Sequence, residues 1–316
     1  MNNTENQKPY VFSQDVGYLL NSWAKRANYS IPDTRPYQEE IVSELASIFP
    51  KLDVISERDL QDTAKETLNL SKKNGGVCLS MDRAYMPAID KNNEVLYLET
   101  SRQVDANLNS TGLGTRKSSD LSIEQQLKKL AMKIGKRPVT IFDDVAFGGD
   151  TMLEILDKAK VAGLNVSDVS LGIATTEALA RIGQADYSCS SRFTYDQILD
   201  EICERDFFVG APFSGRTIMT EEGVKGAPYL KPFGLPVEWA SIPQEAELTF
   251  SFACLSICLD FWRKSDKLSG WEIPTSTLSK PPVGFEKNLP ISSELSQIIG
   301  IAEGWPSVSN TKYWNP

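Results

Sequence analysis

The first seventy residues carry apolar side chains at the intervals expected for amphipathic helices. Spacings of three and four residues predict three helices, which are Val16–Ala27, Tyr37–Phe49 and Glu57–Leu70. Ser56 stands where an N-cap would begin the third of them. Residues 1–9 are polar and predict a disordered start. This part of the chain, residues 1–74, is therefore expected to be a helical N-terminal extension.

Beyond residue 75 the pattern changes to short apolar runs that alternate with helical segments. Strands are predicted over 77–80, 94–99, 139–144 and 166–174. Helices are predicted between and after them, over 123–134, 152–162 and from 175 onward. This alternation predicts an α/β core over 75–186, with a mainly parallel twisted sheet and helices on both faces. Residues 187–316 are expected to be an irregular C-terminal extension packed on the core, with helices over 246–263 and 293–301.

Composition and charge exclude several classes of function. The net charge is −9, so no overall basic field would attract nucleic acid or an acidic membrane. The chain has no histidine, which removes Ser-His-Asp, Cys-His and His-ligated metal chemistry. An odd count of five cysteines argues against a disulfide framework. The longest apolar stretch, 250–262, is too short to span a membrane, and we expect a cytoplasmic protein.

The most informative stretch is the predicted strand, loop and helix start over 139–152. Two adjacent carboxylates, Asp143 and Asp144, follow the apolar residues of the strand. The turn Gly148–Gly149 and then Thr151 lead into a helix, where backbone N–H groups and the helix dipole favour an anion. Phosphate on the loop and sugar hydroxyls on the carboxylates would together form a ribose 5-phosphate site. The alternative is an ordinary α/β strand followed by a turn.

This stretch resembles the phosphoribosyl-diphosphate (PRPP) motif of the type I phosphoribosyltransferases. The resemblance implies that Asp143 and Asp144 contact the ribose hydroxyls and hold Mg²⁺, and that a phosphate loop binds the 5-phosphate. The residues of this loop are Phe147, Gly148, Gly149, Asp150 and Thr151. Two of them depart from the family pattern. Phe147 stands where the family usually has Thr or an acid/base Asp, and Asp150 adds negative charge to a loop for an anion.

Further candidate residues come from the same resemblance. The segment 80–88 is similar to the family's pyrophosphate loop, which makes Asp82, Arg83 and Ala84 candidate substrate contacts, with Arg83 on the leaving diphosphate. A surface turn is the alternative. The polar stretch 100–119 is expected to be a loop that closes over the site, or else a disordered insertion. Its cationic candidates for the diphosphate are Arg102, Arg116 and Lys117.

Base recognition is expected outside the core. Two segments dense in Gly, Pro and aromatic residues, 203–217 and 226–234, are candidates, with Arg205 and Arg216 as substrate-binding residues. These segments could instead only pack the C-terminal extension onto the core.

The resemblance implies a Mg²⁺-dependent enzyme that transfers a phosphoribosyl group from PRPP to a nitrogenous base, with release of diphosphate. The acceptor and the general base stay open, because Phe147 occupies the usual acid/base position. A second hypothesis is a regulator or effector that binds PRPP or a nucleotide without turnover, as in bacterial defence systems, and acts through a partner. A nucleotide hydrolase is a third. The pattern leaves a homo-oligomer or a protein partner open, and predicts neither membrane nor general nucleic-acid binding.

Overall fold

The computed structural model describes residues 8–116, 121–221 and 223–302 of the chain. Within them the chain forms two compact units. The first contains residues up to 54, 102–112 and from 202 onward, and the second contains 55–101 and 113–201. The second unit therefore extends beyond the predicted core, 75–186, at both ends. The first unit combines most of the two predicted extensions.

The second unit is built on a sheet of five parallel strands in the order β4-β3-β7-β8-β9. Its strands are β3 (Val77–Ser80), β4 (Leu96–Tyr97), β7 (Pro138–Ala146), β8 (Asn165–Thr175) and β9 (Ser188–Tyr195). Its helices are α3 (Glu57–Lys73), α4 (Met86–Ile89), α5 (Ile123–Ile134), α6 (Asp150–Val161) and α7 (Thr176–Gln184). The predicted α/β class with a parallel sheet is confirmed.

Helices cover both faces of this sheet. Successive side chains of a strand point to opposite sides, so each face packs against a different set of helices. Odd-numbered residues such as Ile141 and Leu171 form one hydrophobic cluster with residues of α5, α6 and α7. On the other face, the Oγ1 atom of Thr67 in α3 lies 2.6 Å from the Oγ atom of Ser170. Helix α3 therefore belongs to this unit and not to an N-terminal extension. It packs on a sheet whose strands follow it in sequence.

Two helices of this unit begin at side-chain caps formed by residues close in sequence. Ser56 caps α3 by accepting a hydrogen bond from the Asp59 amide at 3.2 Å, as predicted. Ser122 and Gln125 form a capping box that begins α5 at Ile123. Each of these caps joins residues three positions apart, so the signals for both helix starts are local in the sequence.

The first unit has a separate core rich in aromatic side chains. It contains β1 (Tyr10–Ser13), α1 (Val16–Ala27), α2 (Arg35–Ile48), β2 (Leu52–Ile55), β10 (Asp200–Cys203), α8 (Pro236–Ala240), α9 (Glu247–Ser269) and α10 (Ile291–Ala302). Strands β10, β1 and β2 form a three-stranded sheet. The long helix α9 supplies Phe250, Phe261 and Trp262, which are fully buried.

The predicted long loop over 100–119 instead contains regular structure within its described residues, 100–116. It contains β5 (Ser101–Val104) and β6 (Ser110–Gly114), which join β11 (Arg216–Thr220) and β12 (Gly223–Ala227) in a sheet ordered β12-β11-β5-β6. Asp105 stabilises the intervening turn by accepting the amides of Asn107 and Asn109, each at 2.9 Å. The expected lack of regular structure was wrong because β5 pairs with β11, more than one hundred residues later in the chain, and closure of this segment over the site stays a prediction. Lys117 lies outside the described residues.

Two expectations about bulk properties can be compared with the structure. All five cysteines are free thiols, which agrees with the expectation that no disulfide framework is present. Within the described ranges, no helix is both long and apolar enough to cross a membrane.

Candidate functional site

The candidate site lies where the parallel strands of the second unit end. In this sheet the chain passes from β3 to its neighbour β4 on one side, and then returns to β7 on the other side of β3. The strand order therefore reverses between β3 and β7. Ligands of open α/β sheets bind at the carboxyl ends of the strands at such a switch point.

The charges of three carboxylates, Asp82, Asp143 and Asp144, interact near this point. Ser80, the last residue of β3, pairs with Phe142, and Asp82 and Asp144 each follow two residues later along their own segments. Burial, and then repulsion from Asp144, raises the pKa of Asp82. Burial, and then repulsion from Asp144 and Asp82, raises the pKa of Asp143 well above its usual range. The structure thus contains a cluster of negative charge whose members repel one another.

Asp143 and Asp144 are part of a continuous strand. The predicted strand end at Asp144 is wrong, because β7 continues to Ala146. The two side chains therefore start on opposite faces of the sheet. Asp144 is buried, whereas Asp143 is half-buried. After burial, repulsion from Asp144 still contributes to the raised pKa of Asp143, so the two side chains are close enough to interact.

Asp82 organises the turn that follows β3. Its carboxylate accepts the backbone amides of Ala84 at 2.7 Å, Tyr85 at 2.9 Å and Met86 at 2.5 Å. The amide of Ala84, a predicted substrate contact, is thus engaged by Asp82. These bonds fix the 82–86 turn, which carries Arg83, beside the acidic pair.

The two predicted diphosphate cations of this unit lie near the acidic cluster and are each held by a neighbour. The guanidinium of Arg83 forms an ion pair with Glu99, and its central carbon lies 4.5 Å from the centroid of the Tyr97 ring. Arg116 donates a hydrogen bond from Nε to the Thr100 carbonyl. The positive charge of Arg116 lowers the pKa of Asp143, which opposes the effects of burial and repulsion.

The predicted phosphate loop joins β7 to α6. Gly149 is the N-cap of α6 and has φ +79°, a conformation that glycine adopts without strain. The first four N–H groups of a helix have no partner within it, so they are available to an anion at this end. Thr151 lies in the first turn and is half-buried. The side chain of Phe147 is 46% exposed, so it does not serve the hydrophobic core.

Two residues of α7 and its N-cap, which the sequence analysis missed, support this loop. Thr175 donates a hydrogen bond from Oγ1 to the Phe147 carbonyl at 2.6 Å. Arg181 donates to the Gly148 carbonyl and forms a 2.6 Å ion pair with Asp150. The motif gave no signal for these residues, because they lie about thirty positions later in the chain. Thr175 could have been noticed as a helix cap, but its bond to the loop could not.

The other predicted cations belong to the first unit. Arg205 forms an ion pair with the buried Asp15. Arg216 lies over the ring of Trp239, with its guanidinium carbon 4.5 Å from the ring centroid. Arg102 is exposed on β5; burial raises the pKa of Tyr229, and the charge of Arg102 opposes part of this effect. The structure therefore does not assemble these three arginines with the acidic pair in one unit, and their assignment to substrate stays a prediction.

The acidic pair has the donor chemistry that Mg²⁺ requires. Mg²⁺ prefers oxygen ligands and is commonly held by one or two carboxylates together with substrate phosphates. A divalent cation beside Asp143 and Asp144 would also relieve the repulsion that raises the pKa of Asp143. No group of three or more His, Cys, Asp or Glu residues that could hold a metal occurs among the described residues. The pair therefore fits Mg²⁺ when a substrate supplies further oxygens.

Comparisons with known proteins give matches among solved structures only. No protein-family model matches the sequence, and a search of curated proteins finds no match. UMP synthase of Leishmania donovani is similar at 18% identity over 43% of this chain and 27% of that one, with a TM-score of 0.27. Adenine phosphoribosyltransferase of Thermoanaerobacter pseudethanolicus is similar at 12% identity over 42% and 78% of the two chains, with a TM-score of 0.29.

A third match is orotate phosphoribosyltransferase of Mycobacterium tuberculosis, in complex with inorganic phosphate. It is 9% identical over 43% of this chain and 69% of that one, with a TM-score of 0.26. Because all three TM-scores are below 0.5, the fold is defined here by the strand order of the sheet and not by these likenesses.

Proposed function

We propose that the second unit binds PRPP, or a nucleotide that contains ribose 5-phosphate, and transfers the phosphoribosyl group to a nitrogenous acceptor. The observation that carries this proposal is the joint position of the acidic cluster and the glycine turn. Asp143, Asp144 and the loop from Phe147 to Thr151 lie on one strand–loop–helix connection, at the switch point of a parallel sheet.

Each part of the substrate has a matching group in this arrangement. The 5-phosphate would accept hydrogen bonds from the loop amides and from the Thr151 hydroxyl. The ribose hydroxyls would donate to Asp143 and Asp144. Arg83 and Arg116 lie near the acids and would bind the diphosphate, after exchanging their present partners for it. Mg²⁺, where bound, would supply positive charge between the diphosphate and these carboxylates.

The proposed reaction breaks one bond and forms another at C1 of the ribose. The C1–O bond breaks and its electron pair leaves with the diphosphate, while a lone pair of the acceptor nitrogen forms the C1–N bond. Positive charge that develops on the ribose is stabilised by the nearby carboxylates. The acceptor nitrogen then loses its proton. Since Phe147 stands at the family's acid/base position, the proposal requires an acceptor acidic enough to react unaided or a base supplied elsewhere.

A second candidate is a regulator that binds the same ligand without turnover. The specific observation in its favour is Phe147, whose large apolar side chain is 46% exposed on the phosphate loop. An exposed aromatic side chain at this position suits a contact with another protein better than acid/base chemistry. A hydrolase that uses water as the acceptor is a third and weaker candidate.

One experiment separates these functions. Purified protein would be titrated with PRPP by calorimetry, with and without Mg²⁺, while diphosphate release is measured with a panel of purine, pyrimidine and pyridine bases. Release that requires a base supports transfer, and release without a base supports hydrolysis. Binding without release supports the regulator. Absence of PRPP binding in the presence of Mg²⁺ would refute the proposed ligand.

Thr151→Ala should weaken PRPP binding by about 1–2 kcal/mol, roughly 5- to 30-fold in Kd, because a hydrogen bond to a charged group is lost. Calorimetric titration of the variant measures this. Thr249→Ala, at an exposed position of α9 in the first unit, is the matched control and should bind like the unmodified protein. Equal affinity of Thr151→Ala and the control would mean that the loop assignment is wrong.

A further inference from the structure

The β8–α7 connection donates hydrogen bonds to the carbonyl groups of the phosphate loop. Thr175, at the end of β8, donates to the carbonyl of Phe147, and Arg181, on α7, donates to the carbonyl of Gly148. Arg181 also binds the Asp150 carboxylate through its second terminal nitrogen, at 2.6 Å. One guanidinium thus contacts both a main-chain carbonyl and the only acidic side chain of the loop.

Peptide geometry converts these two carbonyl contacts into an orientation of the amides. In a trans peptide unit the C=O and N–H bonds point in opposite directions, and the unit is planar. When the Phe147 and Gly148 carbonyls point toward α7, the N–H groups of Gly148 and Gly149 must point away from it. Gly149, at φ +79°, then turns the chain into α6. Consecutive amides directed to one side form an anion-binding concavity.

The same guanidinium offsets the charge that made the loop unusual. Hydrogen bonding and attraction to Arg181 lower the pKa of Asp150, so this carboxylate is ionised at neutral pH. Asp150 packs over the loop, since a Cβ atom added to Gly148 would lie 3.1 Å from its Oδ2 atom. Without Arg181, an unpaired carboxylate would stand beside the proposed phosphate position. With Arg181, the pair carries no net charge.

We propose that Arg181 is a positioning residue for the phosphate loop: it turns the Gly148 and Gly149 amides toward the anion and neutralises Asp150. The inference rests on the proposed function for the identity of the ligand, but its geometry requires only an anion on the loop. Arg181 does not itself touch the ligand. It acts through the Gly148 carbonyl and through Asp150.

Arg181→Ala should raise the Kd for PRPP by at least tenfold, because both the carbonyl contact and the counter-charge are lost. Adding Asp150→Asn to this variant should recover part of the affinity, since the repelling charge is then removed. The Kd of Arg181→Lys for PRPP should lie between those of the unmodified protein and Arg181→Ala. An ammonium supplies charge but lacks the fork of a guanidinium that reaches both partners. A residue with only a structural role would give neither rescue.

Arg192→Ala is the matched control, because Arg192 is also a partly exposed arginine of the second unit, with an ion pair to Glu66 at 3.5 Å. It should bind PRPP like the unmodified protein. Thermal melting by circular dichroism checks that all variants are folded. If turnover is found, Arg181→Ala should raise the KM for PRPP and leave the KM for the base unchanged.

Inorganic phosphate is the second probe, and it separates this inference from the proposed function. If the unmodified protein binds phosphate but not PRPP, the proposed function fails, and the Arg181 series can still be measured with phosphate. If folded Arg181→Ala binds both probes as tightly as the Arg192→Ala control, the inference is wrong. It is also wrong if Asp150→Asn brings no recovery.

Discussion

Asp143→Asn is expected to reduce phosphoribosyl transfer by a factor of about 100 or more, while raising the thermal stability of the ligand-free protein. The loss of activity follows because a neutral amide cannot stabilise charge on the ribose as a carboxylate does. The gain in stability follows because the substitution removes one charge from a cluster in which Asp82, Asp143 and Asp144 repel one another. Relief of this repulsion is on the order of 1 kcal/mol, or ~2–4 °C in Tm.

Asp144→Asn should reduce turnover similarly if both carboxylates serve the sugar. The control is Asp62→Asn, at an exposed position of α3 in the same unit. It should change neither turnover nor Tm. Diphosphate release and circular dichroism melting curves measure the two properties. If the protein is a regulator, the Asp143 and Asp144 variants should instead lose PRPP binding. Normal turnover or normal binding in both variants would refute the site.

Gly172→Ala is expected to destabilise the second unit and to weaken ligand binding together. Gly172 lies on β8 beside the acidic pair. A Cβ atom there would lie 2.7 Å from the Asp144 carbonyl oxygen and 2.7 Å from the Leu60 Cδ2 atom. Because one obstacle is the backbone of β7 and the other is the fully buried side chain of Leu60, relief requires movement of β7 together with repacking of Leu60. Overpacking of this kind costs about 1–3 kcal/mol, and movement of β7 would displace Asp144.

Gly183→Ala is the matched control for this substitution. Gly183 lies in α7, and a Cβ atom there would meet no atom within 4 Å. It should stabilise the protein by about 0.5–1 kcal/mol, because alanine favours helix more than glycine does. Thermal melting and PRPP titration are the measurements. A Gly172→Ala variant that melts and binds like the unmodified protein would show that β7 and α3 do not limit this position.

The sequence predicted the parts of the fold that depend on local patterns. Helix α5 begins and ends at the predicted residues, since its apolar spacing and the Ser122–Gln125 capping box lie within the helix or next to it. The strand–loop–helix connection that carries Asp143, Asp144 and the Gly148–Gly149 turn was also predicted. Its signals lie within fourteen consecutive residues, because strand propensity, a glycine turn and a helix start are local properties.

The sequence did not predict elements whose partners lie far away in the chain. Strand β1 forms a sheet with β10, nearly two hundred residues later, and neither strand is long enough to show a pattern. Strand β5 pairs with β11 in the same manner. Such short strands are stabilised by contacts with a distant segment, so their own residues carry little information about them.

The sequence by itself determined which residues could form an anion and ribose site, because the chemistry of adjacent carboxylates and of a glycine turn is set by residue type. Only the tertiary structure decided how these residues are used. It brought Asp82 close enough to Asp144 for their charges to repel, paired Arg83 with Glu99, and put Arg102 in the other unit. It also paired Asp150 with Arg181. These contacts join side chains that are distant in sequence, and their energies depend on burial and distance, which exist only in the folded chain.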